Sequence, residues 1–256
     1  RGLYTYVYKY VMKAVKVKNR EGVDWSAIAN SLAAQADRPG ATPARLRRLI
    51  LTAIQSGALA PGARLKEVDL VAALAVSRTP LREALARLRA EGVLERDEDG
   101  LRVRRLDWRD VRSLYELRGT LESMAARLAA QNAGNAERKV IADICEAEAG
   151  LVANNAEPDR LARHNRQFHN AILQAAGNRF LAESLAHLSR LMVLLGATAY
   201  SLPARVAAIR SEHEAINGAI QKRDPQAAAD AMLHHLDTAL AARLSLLSLT
   251  VDTEPD

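Results

Sequence analysis

Residues 61–103 read PGARLKEVDLVAALAVSRTPLREALARLRAEGVLERDEDGLRV. Pro61-Gly62 is a turn. A short helix follows over residues 67–74, with Val68, Val71 and Ala72 or Leu74 expected to face inward. Residues 75–76 connect it to a helix over 77–91, which Gly92 ends. Leu81, Leu85 and Leu88 recur there at spacings of three and four, the period of one helical face. Residues 93–96, the turn Asp97-Glu98-Asp99-Gly100 and residues 101–104 then alternate as strand, turn and strand.

Working upstream, Leu46, Leu49, Ile50 and Ala53 or Ile54 mark an earlier helix that opens at Pro43, with Gly57 as its C′ residue. Three helices and a two-stranded hairpin in about 65 residues follow the winged helix-turn-helix plan. In the third helix, Arg78 and Arg82 are four apart and project together near the N-terminus. That position suits guanine O6 and N7, or phosphates, and the first helical N–H groups favour an anion. Ser77 is the expected N-cap, and Pro80 fits the first turn. Arg45, Arg47, Arg48, Arg64, Lys66, Arg102, Arg104 and Arg105 add positive charge for backbone contacts. A solvated surface helix also looks basic, so charge alone leaves both readings open.

The whole chain has 256 residues and a formal charge of +6. The charge is unevenly divided. Residues 1–106 hold 20 lysines and arginines against 11 acids, and residues 107–256 hold 16 against 19. A basic part meets a polyanion. The slightly acidic part carries all 6 histidines. One cysteine, Cys145, excludes an intramolecular disulfide framework and a multi-cysteine zinc site, and makes a cytoplasmic protein the expectation. No run approaches the ~18 apolar residues of a membrane span. Residues 1–41 read as a poorly ordered N-terminal extension and linker, with a short helix over 24–35; an arm touching nucleic acid is the alternative.

Beyond residue 106 the pattern is helical throughout. Helices are expected over 108–132, 136–154, 158–176, 178–196, 202–222 and 225–248. Pro158 and Pro225 suit first turns, and Pro203 opens another helix. Asn165 and His169 lie one turn apart beside the stripe of Leu161, Phe168 and Ile172. His213 shares a face with Ile209, Ile216 and Ile220. His235 lies close to Ala228, Met232 and Ala239. Three inward imidazoles on three helices can converge on one divalent cation, with one or two positions left for water or an anion. Each histidine taken singly is as well read as a satisfied core or surface residue. His164, His187 and His234 are read as ordinary residues, and His164 and His234, each beside an inward residue, are expected to point elsewhere.

The run at 61–103 resembles the N-terminal domain of the GntR family of bacterial transcription regulators, over residues 42–106. The resemblance rests on Pro61-Gly62, Leu65-x-Glu67, Val76-Ser77-Arg78-Thr79-Pro80-x-Arg82-Glu83-Ala84-Leu85, Glu91-Gly92 and a wing glycine. It implies that Arg78, Thr79 and Arg82 contact DNA and that Gly100 lets the wing tip approach the minor groove. Val68 departs from the arginine that some members carry there, and the wing tip is acidic. The candidate DNA-contacting set is Arg45, Lys66, Ser77, Arg78, Thr79, Arg82 and Gly100.

Residues 107–248 resemble the FCD ligand-binding domain of the FadR branch, nearer its shorter VanR-like form. The motifs are Leu117-Arg118-x-x-Leu121-Glu122, Asn165-x-x-x-His169 with Phe168, Glu212-His213-x-x-Ile216 and His235-Leu236. The resemblance implies a divalent metal (zinc, nickel or manganese) on Asn165, His169, His213 and His235, and a small carboxylate effector. Arg118 borders the stripe of Leu114, Leu117, Leu121 and Ala125. It is the candidate effector clamp, or else an ordinary i,i+4 surface partner of Glu122.

The expected protein is mainly α. A winged helix-turn-helix domain spans 42–106, an all-helical metal- and effector-binding domain of about six helices spans 107–250, and 251–256 form a tail. Its expected function is that of a metabolite-responsive DNA-binding regulator: a repressor that binds a palindromic operator as a homodimer and is released by a small organic acid. A metal sensor and a metal-dependent enzyme are the alternatives. No separate general base is evident, so no enzymatic activity is expected.

Overall fold

The computed structural model of the chain describes residues 42–196 and 198–249. The expected extension over residues 1–41, its short helix and the tail at 251–256 lie outside the described residues. The described chain divides into two compact units.

One unit is made of α1 (Pro43–Gln55), α2 (Glu67–Leu74), α3 (Arg78–Ala90), β1 (Leu94–Asp97) and β2 (Gly100–Val103), together with residues 189–196. Thr42 caps α1, its Oγ1 accepting from the Arg45 N–H at 3.3 Å. Leu46, Ile50, Ala53 and Ile54 of α1 meet Leu70 of α2 and Leu81, Ala84, Leu85 and Leu88 of α3 in one core. Leu194, from a 3-10 turn over Met192–Leu195, is buried in the same core. Arg47 ties α1 to the end of α3 through Glu91, with Nη2 2.8 Å from Oε2. β1 and β2 pair antiparallel, with Asp97 opposite Gly100. Gly100 has φ +122, a conformation that strains any residue with a Cβ.

Three local expectations are corrected. Val68 is 68% exposed, not inward. Leu70 takes the inward position of α2, and two residues turn a helix by about 200°, which carries Val68 to the outer face. Ser77 stands at the N-cap of α3, but its side chain makes no capping hydrogen bond. The helix expected over 178–196 stops at Leu191, and a tighter 3-10 turn follows and ends at Gly196, with φ +69.

The other unit holds α4 (Trp108–Asn132), α5 (Asn135–Ala153), α6 (Pro158–Ala176), most of α7 (Arg179–Leu191), α8 (Pro203–Gln221) and α9 (Pro225–Leu249). Its helix breaks follow local chemistry. Pro158 and Pro203 occupy first turns, where no intrahelical N–H is needed. The Asn178 side chain accepts from the N–H groups of Phe180 and Leu181 at 3.1 Å, and Asp224 accepts from Ala227 N–H at 3.0 Å. α6 ends on Gly177 in the left-handed conformation. α4 packs against α6, α8 and α9, and α8 also packs against α5 and α9. Phe168, Ile172, Ile209, Ile216 and Ile220 fill the middle.

One face of α4 also differs from expectation. Leu117 is 49% exposed, and the buried stripe runs through Leu114, Tyr115, Glu122, Ala125 and Ala126. This rotation turns the Arg118–Glu122 pair toward the interior. The helix can bury that pair because its charges are matched within the bundle.

Candidate functional site: a metal centre and a nucleic-acid interface

Three helices each carry one imidazole into the bundle. His169 comes from α6, His213 from α8 and His235 from α9, and one ring nitrogen of each lies within 4.8 Å of the others. The Nε2 atoms of His169 and His235 are 3.1 Å apart. Phe168 stacks on His213 with ring centroids 4.1 Å apart and fixes its plane.

Behind each imidazole stands a glutamate. Glu122 of α4 holds His169 Nδ1. Glu148 of α5 lies 3.0 Å from His213 Nδ1, and Glu212 of α8 lies 2.8 Å from His235 Nδ1. A carboxylate only accepts, so each Nδ1 carries the proton and each Nε2 presents its lone pair inward. Two arginines close this outer ring. Arg118 Nη2 lies 2.6 Å from Glu122, and Arg205 Nη1 lies 2.5 Å from Glu212. Arg205 Nη2 is also 3.2 Å from His235 Nδ1. Both groups are donors, and Glu212 accepts from each.

Electrostatics favour the neutral form of His213 and His235. Burial pushes the pKa of His235 well below the ordinary imidazole value, and His169 and His213 push it the same way. Burial also lowers His213, against the opposing pull of Glu148. Burial alone would raise Glu122, but Arg118 and then His169 outweigh it and hold the carboxyl far below the usual range. Neutral imidazoles backed by ionised carboxylates are the form that ligates a cation.

The donor set fits a divalent metal. Two bare Nε2 lone pairs facing each other at 3.1 Å repel. His213 Nε2 and Asn165 Oδ1 are both buried and, among the described residues, have no hydrogen-bond partner. A buried unpaired polar atom costs about 1–3 kcal/mol. One shared cation relieves both costs. Asn165 sits one turn before His169 on α6, so the four residues read from spacing include the three clustered imidazoles and one orphaned acceptor.

The remaining histidines lie apart from this cluster. His164 is buried and its Nε2–H donates to the Ile144 carbonyl at 2.9 Å, while His187 and His234 are exposed. Sequence reasoning did not identify Glu148 or Arg205. Glu148 is 65 positions from its histidine and lies in no motif, so no local signal marks it. Glu212 adjoins His213 in sequence but serves His235, which only the packing of α8 on α9 reveals. Arg118 is no surface partner of Glu122, because its side chain is only 14% exposed.

In the other unit, Lys66, Ser77, Arg78, Thr79 and Arg82 are exposed, and Arg45 and Gly100 are half-buried. Arg82 Nε donates to Glu67 at 2.7 Å, from α3 to the first turn of α2. Several arginines expected at the backbone are committed within the domain. Arg64 pairs with Asp99, and Arg102 pairs with Glu95 at 2.8 Å and Asp97 at 2.7 Å. The acidic wing tip therefore has a structural partner for two of its acids. With Arg47 held by Glu91, the exposed cations of this unit include Arg48, Lys66, Arg78, Arg82 and Arg105. Arg82→Ala is expected to weaken specific DNA binding by about 1–3 kcal/mol and to relax the preference at one base position. Titration of a selected operator by fluorescence anisotropy measures it, and unchanged affinity removes Arg82 from the contact set.

A winged helix-turn-helix joined to a helical domain with a buried histidine cluster defines a class, the DNA-binding transcription regulators. The profile of bacterial regulatory proteins of the gntR family matches residues 43–100, and that of the FCD domain matches residues 113–238. A probable D-xylose utilization operon transcriptional repressor of Paenarthrobacter nicotinovorans is 32% identical over 200 residues, covering 77% of this chain and 87% of that protein. The HTH-type transcriptional regulator YdhC of Bacillus subtilis is 29% identical over 185 residues, covering 72% and 83%. The solved structure of Escherichia coli McbR/YncC shares the fold with a TM-score of 0.61 at 22% identity, covering 82% of this chain and 99% of that one. The chain belongs to the GntR family of bacterial transcription regulators and carries an FCD domain. It is a regulator rather than an enzyme, and among the described residues no helix is long and apolar enough to cross a membrane.

Proposed function

We propose that the protein is a cytoplasmic, metabolite-responsive repressor. It binds a palindromic operator as a homodimer and leaves it when a small carboxylate binds at the metal centre. One observation carries the reading: three inward imidazoles, each backed by a glutamate, with a buried unpartnered amide oxygen one helical turn from His169 in sequence. His169, His213, His235 and Asn165 hold the ion. Their donor set suits zinc or nickel through nitrogen, and the amide oxygen extends it to manganese. When bound, the ion supplies a Lewis-acidic position for an anionic oxygen. Asn165 is neutral where an aspartate would add a negative charge, which favours an anionic effector. Arg118 serves the effector's second anionic end.

The DNA contacts proposed are Arg45, Lys66, Ser77, Arg78, Thr79, Arg82 and Gly100. Two-fold symmetry of the protein matches the palindrome of the operator. Effector binding changes the spacing of the paired recognition helices, with a coupling of about 1–3 kcal/mol.

The test titrates operator affinity against two variables, divalent metal and a panel of sugar acids, dicarboxylates and aromatic acids. With metal held constant, one carboxylate is expected to weaken operator binding roughly 5- to 150-fold. Affinity that follows metal alone, at every acid concentration, replaces this reading with a metal sensor.

A further inference from the structure

A cavity lies between α5 and α6, and its lining contains none of the three clustered histidines. It is open to solvent on one side and has a volume of about 610 Å³, within the range of small-molecule sites. Its apolar side comes from Ala147 and Leu151 of α5, and Asn154 and Gln167 contribute amides. Arg160 and Arg163 also line it. They are three positions apart on α6 and therefore share a face.

These guanidiniums differ from several others in the bundle. Arg112, Arg118, Arg205 and Arg210 each pair with a glutamate. Among the described residues, Arg160 and Arg163 have no side-chain hydrogen bond or ion pair. Their neighbour Arg166 shows the resulting field: burial lowers its proton affinity, and the charge of Arg163 lowers it further, against a smaller opposing pull from Asp159. Uncompensated positive charge at the wall of a part-apolar cavity selects an anion with an apolar body. Among the cavity's side chains, the imidazole of His164 is positioned by its bond to the Ile144 carbonyl, which braces α6 on α5 across the site.

We propose that this cavity is a second, metal-independent site for a small organic acid with an apolar body. The carboxylate is held by Arg160 and Arg163, and the apolar part rests on Leu151 and Ala147. None of these residues belongs to the metal centre, so the proposal stands apart from the effector reading above.

Benzoate is the probe, with the full chain in two states, metal-loaded and chelator-treated. Calorimetry is expected to show benzoate binding in both states. Benzyl alcohol lacks the charge and inorganic phosphate lacks the apolar body, so each is expected to bind at least about tenfold more weakly. Arg160→Ala with Arg163→Ala is expected to weaken benzoate binding to the chelator-treated protein by at least about tenfold. Both side chains are exposed, so metal content and thermal midpoint are expected to stay unchanged. Three results overturn the proposal: no benzoate binding to the chelator-treated wild type, equal binding by the double variant, or equal binding of the alcohol.

Discussion

His169→Ala combined with His235→Ala is expected to strip the protein of its divalent ion and of its response to organic acids, while operator binding by the effector-free protein persists. The choice of pair follows from the glutamates. Removing His213 would leave Glu148, only 1% exposed, without the imidazole that it holds, and a stranded buried charge costs several kcal/mol. Glu122 keeps Arg118 when His169 is lost, and Glu212 keeps Arg205 when His235 is lost. The double variant therefore removes two ligands without abandoning a carboxylate. One imidazole and one amide oxygen remain, too few to hold a divalent ion against water. Elemental analysis after equilibration with zinc measures the loss, and anisotropy on a selected operator measures DNA binding. Full metal occupancy in the variant would falsify the proposed centre. An intact acid response in a metal-free variant would instead separate effector binding from the ion.

The parts of this protein legible in sequence are those written in local chemistry. Helix starts at Pro43, Pro158 and Pro203 and the helix end at Gly177 need only the residues around them. The faces of α1 and α3 follow a strict period, and Leu46, Ile50, Leu81, Leu85 and Leu88 are buried accordingly. The three histidines could be brought together because each lies on or beside an apolar stripe, so a bundle had to turn them inward. What escaped was set by partners distant in the chain. Val68 and Leu117 looked like core residues, yet the competing neighbours Leu70 and Tyr115 took the inward positions. The glutamates behind the imidazoles are legible only after α4, α5 and α8 have been packed, because charged residues on a helix otherwise read as solvated.

That dependence on packing makes Phe168 the sharpest probe of how the bundle supports its site. Phe168 is fully buried and heads the largest such side chains. Phe168→Ala is expected to destabilise the protein by about 3–5 kcal/mol, since the lost transfer energy adds to an unfilled cavity. At roughly 2–4 °C per kcal/mol for a chain of this size, the thermal midpoint should fall by on the order of 10 °C. A second effect follows from the stacked contact with His213, whose interplanar angle is 23°. With that face gone, the imidazole keeps Glu148 but can tilt about the hydrogen bond, and the ligand geometry loosens. Metal affinity should therefore fall as well, and this separates Phe168→Ala from a cavity elsewhere in the same core. Ile220→Ala serves as the comparison, being equally buried and having no ring to stack on an imidazole. Thermal melts and zinc competition on both variants decide the matter. Equal zinc affinity in the two would mean that Phe168 fills space without orienting His213.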